Sequence, residues 1–178
     1  VKYLTLDAAL TAAKSGETVK LMNDLTVSES IKASVATGVT LDFNGHSIDG
    51  SAINPKASEH AVLTLTVGYE RSNWLGSITI TNSQHEGSVT GVLPMKLTCS
   101  GYADGVAATI DESVTLNVLD GGTNAVLLGN SPIYLIATDY TKSLYRNGGF
   151  MATTTDGEAR IYESLGGAKT ANSTVTLL

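Results

Sequence analysis

The insertion Gly68-Tyr69-Glu70-Arg71-Ser72-Asn73-Trp74-Leu75-Gly76 is the most chemically varied short stretch of the chain and holds its one tryptophan. Aromatic rings offer flat apolar faces to sugar rings, and Arg, Asn and Glu hydrogen-bond hydroxyl groups. Tyr69, Arg71, Asn73 and Trp74 are therefore the candidate ligand-binding residues, and a polysaccharide or other glycan is the ligand they suit. The competing structural role is that Trp74 folds down to anchor its own loop.

Other reactive side chains are present without a pattern. Asp42, Asp104, Asp111, Glu112 and Asp120 supply carboxylates, but no Lys or Arg is tied to them by a motif. Asp111 and Glu112 are adjacent, so in a strand they would point to opposite faces; a solvated turn suits them better. His46, His60 and His85 lack metal-ligand spacing, although Glu59-His60 and His85-Glu86 set carboxylates beside imidazoles. Asp120-Gly121-Gly122 and Asp156-Gly157-Glu158 offer oxygen ligands for calcium, yet Asp-Gly is also ordinary turn chemistry. Cys99 is the single cysteine, which rules out an intrachain disulfide, and its setting lacks the positive charge a reactive thiol needs. Phosphate-binding glycine loops are absent. No catalytic residue, metal site or organic cofactor is assigned; calcium is the one ion for which ligands are on offer.

The elements that must position these groups are mostly strands. Of the 178 residues, 40 are Ser or Thr and 18 are Gly, while only 16% are charged. Thr favours strands, and Gly and Ser favour turns. The formal net charge of -6 argues against nucleic acid, which needs a basic footprint. No leader-type segment and no apolar run long enough to span a bilayer is read, so membrane insertion is not expected. Residues 6–14 show apolar spacing at Leu6, Ala9, Leu10 and Ala13, which predicts one helix, stopped at Ser15-Gly16. Period-two alternation predicts strands over 18–22, 29–33, 39–43, 61–67, 77–81 and 95–99. It continues over 113–118, 124–128, 132–137, 159–163 and 173–178.

The central apolar residues Leu21, Leu41, Leu65, Ile80, Leu97, Leu116, Leu135, Ile161 and Val175 follow at steps of 20, 24, 15, 17, 19, 19, 26 and 14. A period near 20 points to a solenoid whose coils bury their faces on one another. A β-sandwich remains open, because secondary strands at 46–48 and 124–128 shorten the turn spacing. Asn44-Gly45, inside "VTLDFNGHSIDG", reads as a tight corner at positive φ.

The run from "YLTLDAALTAAKSGETVKLMNDLTV" into "VTLDFNGHSIDG" resembles the start of right-handed parallel β-helix domains of the pectate-lyase-like class, as found in bacterial secreted and surface proteins. The resemblance covers about the first 50 residues. It implies an all-β fold, a right-handed parallel β-helix solenoid with a short N-terminal capping α-helix. One domain is expected over 1–178: a cap over 1–16, coils over about 17–137 and an irregular C-terminal part over about 138–178. It further implies a secreted or cell-surface location and a non-enzymatic module, glycan-binding, adhesive or a structural spacer, joined to neighbouring domains of a larger protein. The alternative is a polysaccharide lyase or glycoside hydrolase of the same class, which would need carboxylates converging with Arg or Lys on one exposed face.

Overall fold

The structure is a computed structural model, which describes residues 1–71, 76–84, 87–100, 106–111, 113–122, 125–128, 133–135, 150–153, 159–162 and 175–177. The described residues are mostly β with one short helix, α1 (Leu6–Ala12), two residues shorter at its end than the spacing predicts. The chain then runs through β1 (Thr18–Lys20), β2 (Leu25–Thr26), β3 (Ile31–Val35), β4 (Val39–Asp42), β5 (Ser47–Asp49) and β6 (Ala61–Val67). It continues through β7 (Gly76–Thr81), β8 (Ser88–Gly91), β9 (Leu93–Cys99), β10 (Val106–Ile110), β11 (Thr115–Val118) and β12 (Val126–Leu128). The last described strands are β13 (Ile133–Leu135), β14 (Phe150–Thr153), β15 (Ala159–Tyr162) and β16 (Val175–Leu177).

Strands β1 to β13 are dealt in strict rotation onto three sheets. The first has the order β1-β4-β7-β10-β13-β15-β14-β16, the second β11-β8-β5-β2 and the third β12-β9-β6-β3. Every pairing among β1 to β13 is parallel. Parallel partners need a crossover between them, and here the crossover is the visit to the other two sheets. The arrangement is consistent with an all-β parallel solenoid. Beyond β13 the first sheet changes character, because β15, β14 and β16 pair antiparallel.

Register shows what drives the rotation. On the first sheet Val19 lies beside Leu41, Leu41 beside Ile80, and Ile80 beside Ile110. On the second sheet the row is Leu25, Ile48, Val89, Leu116. The third carries two rows, Ile31-Leu63-Met95-Val126 and Ala33-Leu65-Leu97. These rows belong to one core cluster, with Leu41, Ile48, Leu63, Leu65, Ile80, Met95, Leu97 and Ile110 wholly buried. Side chains alternate faces along a strand, so each inward row leaves an outward one. The outward rows are Thr18-Thr40-Thr79-Thr109, Ser47-Ser88-Thr115 and Ser34-Thr66-Thr98, one per sheet. That is where much of the hydroxyl-rich composition goes. α1 packs against β3 and places Leu6 and Leu10 in the same core.

The period near 20 does not describe the passes. Thr18 pairs with Thr40, Val39 with Ile78, Gly76 with Val106 and Ala107 with Tyr134, so successive returns to the first sheet are 22, 39, 30 and 27 residues apart. The residues aligned in sequence alternate between sheets: Leu41 and Ile80 lie on the first, Leu65 and Leu97 on the third, Leu116 on the second. Four described strands fall outside the spans read from alternation: β2, which has only two residues, β8, β10, whose Val-Ala-Ala run has no polar alternation, and β14.

Leu41 sits between Val19 and Ile80 with no exposed surface. Leu41→Ala is expected to cost about 2–5 kcal/mol through lost burial and an uncollapsed cavity. Thr40→Ala, one residue away on the outward face, should stay within about 0.5 kcal/mol. Urea denaturation midpoints check this, and equal effects at the two positions would refute the inward and outward assignment.

Candidate functional site

Two polar constructions stand out from the sheet faces. One is the corner where the chain leaves the first sheet for the second. Asn44 takes φ 51 there, the one non-glycine residue at positive φ among the described residues, and Gly45 follows at φ 82. A left-handed residue costs an L side chain about 1–2 kcal/mol, least for Asn. Local hydrogen bonds offset that cost. The Asn44 N–H donates to Asp42 Oδ1 (2.9 Å), its Nδ2 to the Leu21 carbonyl (3.0 Å), and Gly45 N–H to Asn82 Oδ1 (2.7 Å). Asn82 Nδ2 in turn donates to the Ser113 carbonyl at 3.2 Å. Asn44 and Asn82 thus tie four successive passes together at equivalent corners.

Asp42 is the charged centre of this corner, with only 3% of its surface exposed. Lys20, its register partner on β1, reaches it at 2.8 Å, and the Ser83 N–H donates to Oδ1 at 2.8 Å. Burial by itself would raise the Asp42 carboxyl; the hydrogen bonds from Lys20, Ser83 and Asn44 outweigh it and hold it at about 2. Nearby, Asp24 accepts from Ser47 N–H at 2.9 Å and lies 3.2 Å from His46 Nδ1. The corner's polar groups are spent on one another, as a structural tie requires.

The second construction is an open groove of about 700 Å³ where the chain passes from the second sheet to the third. Ile31, Ile53 and Ala57 give it apolar ground, with Asp7, Glu29, Glu59 and Lys32 around them. Ser28, Ser30, Asn54 and Ser58 complete the lining. Burial works to raise the Glu59 carboxyl, but the Lys96 ammonium at 3.1 Å brings it below its ordinary value. Asp7 is also lowered, chiefly by a hydrogen bond from Thr5. Neither carboxyl is held protonated, so neither is prepared as a general acid.

The expected ligand loop is only partly in view. Tyr69 is half-buried and Arg71 exposed, just after β6. Asn73 and Trp74 lie outside the described residues, so the four candidates are not seen together. Tyr69 and Arg71 follow β6 off the third sheet, at a different corner from the groove. Alternation placed Glu29 to Lys32 on a strand but gave no sign of the groove, because most of the rest of its lining comes from α1 and from the loop before β6.

The remaining candidates separate. Asp111 is exposed and accepts from Ser113 N–H and Oγ at 2.9 and 2.6 Å, while Glu112 and Asp104 lie outside the described residues. Asp120 and Gly121 form a turn, with Gly121 at φ 88; Asp156-Gly157-Glu158 lies outside. His60 Nδ1 lies 3.3 Å from the Ala57 carbonyl oxygen, and His85 lies outside. Cys99 is half-buried in register with Val67. Among the described residues, no three His, Cys, Asp or Glu side chains group to hold a metal ion. Nor is any described helix long and apolar enough to cross a membrane. Comparison with protein-family models, with curated proteins and with solved structures finds no match.

A pH dependence follows from Asp42. Its folded value of about 2 lies below the ordinary 3.8, so the stability it adds is fully present above about pH 4. That stability, about 2 kcal/mol, is lost as pH falls through 2. Asp42→Asn should therefore be least stable relative to the parent near pH 6, with the gap closing toward pH 2. A gap that stays constant in urea titrations across that range would show that Asp42 carries no such charge.

Proposed function

We propose that the chain is a right-handed parallel β-helix serving as a non-enzymatic, rigid module of a larger secreted or cell-surface protein, a spacer or adhesive element. One observation carries this reading: successive passes stack inward apolar rows on three sheets, with a row of outward hydroxyls on each. A core built that way is continuous along the axis and stiff, since each pass is paired to its neighbours on both edges. Some of the outer hydroxyls are engaged with each other. Ser88 donates to Ser47 at 2.9 Å, Thr98 to Thr66 at 3.1 Å, and Ser30 and Thr64 share a bond of 3.0 Å. α1 is the natural cap for one end, shielding the core under β3 with Leu6 and Leu10.

A specific observation favours glycan binding as the second reading. The groove brings hydroxyl, amide, carboxylate and ammonium groups beside an aliphatic floor, a mixture suited to sugar hydroxyls and ring faces. Tyr69, Arg71, Asn73 and Trp74 are a second place on the same module for such a ligand. The lyase or hydrolase alternative asks more, a raised carboxyl or a positioned base, and the lowered Asp7 and Glu59 work against it.

The test is a panel of soluble plant, host and bacterial polysaccharides, assayed by pull-down, by Trp74 emission and for chain shortening. The spacer reading expects no saturable binding and no products. Saturable binding weakened by Lys32→Ala or Glu29→Ala would establish the groove as a glycan site; weakening by Trp74→Ala instead would establish the loop. Product formation would overturn the non-enzymatic reading altogether.

A further inference from the structure

Asn44-Gly45 is the dipeptide in which chain chemistry and fold meet most directly. In an Asn-Gly pair the following glycine leaves the backbone nitrogen unhindered. That nitrogen, after losing its proton to solvent, attacks the Asn side-chain carbonyl carbon. The N–C bond forms, the bond from Cγ to Nδ2 breaks, and ammonia departs with a proton from solvent. The five-membered succinimide then takes up one water and opens to aspartate or to isoaspartate. Water is the sole co-reactant, which is why asparagine counts among the thermolabile residues.

In this structure both reacting groups are engaged by neighbouring passes. The nucleophile, Gly45 N–H, is bound to Asn82 Oδ1 at 2.7 Å, on the pass that follows. The electrophile is held separately, with Asn44 Nδ2 bound to the Leu21 carbonyl at 3.0 Å on the pass that precedes and its Oδ1 accepting from Ser83 Oγ at 3.5 Å on the pass that follows. Asn82 is 7% exposed and is itself anchored on the Ser113 carbonyl. Ring closure thus requires at least one inter-pass bond to break and the Asn44 side chain to swing back over its own backbone.

We propose that Asn44 is a fold-gated deamidation site, held unreactive by the Asn82 clamp and converted when the corner opens. The change is one-way for the structure. An aspartate at 44 has no amide to donate to Leu21, and it sets a second carboxylate beside Asp42, whose Oδ1 receives the backbone N–H of residue 44. An isoaspartate also lengthens the main chain by a methylene, so the left-handed corner cannot re-form in register. A transient opening is recorded as a permanent one, and the module's lifetime is set by how often this corner opens.

The experiment is incubation of the protein at mildly alkaline pH, followed by peptide mapping that reads Asn44 separately from the other Asn-Gly pair, Asn147-Gly148. Asn44 should stay amidated in the native protein and convert in urea-unfolded protein over the same interval. Asn82→Ala, if folded by circular dichroism, should convert about tenfold faster than the parent, as loss of one inter-pass hydrogen bond predicts. Should that variant not fold, the parent in urea below its midpoint decides: conversion must rise in step with amide exchange at Gly45. Equal rates in native and unfolded protein, a folded Asn82→Ala with the parent's rate, or conversion that ignores Gly45 exchange would each overturn the proposal.

Discussion

The constraint on which the rest depends is register between successive passes. Each pass must return its apolar residues to the inward positions of the pass before, because a slip of one residue on a strand turns its whole apolar set outward. Val19, Leu41, Ile80 and Ile110 meet that demand on the first sheet although 22, 39 and 30 residues separate the passes. The strands are short, three residues for β1 and two for β2, so ladder hydrogen bonds alone hold register weakly. The rows succeed because each buried side chain contacts its counterparts above and below, at roughly 1.5–3 kcal/mol of burial each.

The corners supply what the short strands lack. Leaving the first sheet requires a sharp bend, and a bend exposes backbone N–H and C=O groups that have no ladder partner. Asn44 and Asn82 solve this by donating to carbonyls on neighbouring passes, so the same side chains that satisfy the bend also set its height along the axis. Asp42 is the costly member of the group, since a nearly buried carboxylate must be compensated. Lys20 from the preceding pass, Ser83 from the following one and Asn44 from Asp42's own pass provide that compensation. Loop length then becomes free to vary at the other corners, and the chain uses that freedom for the 50–60 insertion that walls the groove and for the one at 68–75. Function, on the reading proposed above, belongs to those variable corners and rigidity to the invariant ones.

The end of the first sheet obeys a different rule. Parallel growth requires three sheets to extend together, yet among the described residues the second and third end at β11 and β12. The first goes on alone, and a lone sheet can add neighbours by short connections when they are antiparallel. β15, β14 and β16 do so.

The sequence by itself determined the local matters: strand chemistry in most elements, a helix starting at Leu6, the inward identity of Leu41, Leu65, Ile80 and Leu97, and the positive-φ corner at Asn44-Gly45. Each depends on a residue and its near neighbours, where alternation, propensity and turn chemistry act directly. Only the tertiary structure decided which strands share a sheet. Leu41 and Leu65 look alike in sequence, with the same alternation about each, yet they line different faces, and a fixed step of 20 merges them. The buried Asp42, the clamp on Gly45 and the groove were equally out of reach. Each is assembled from passes 20 to 40 residues apart, and no short-range pattern records which loop lengths bring those passes together.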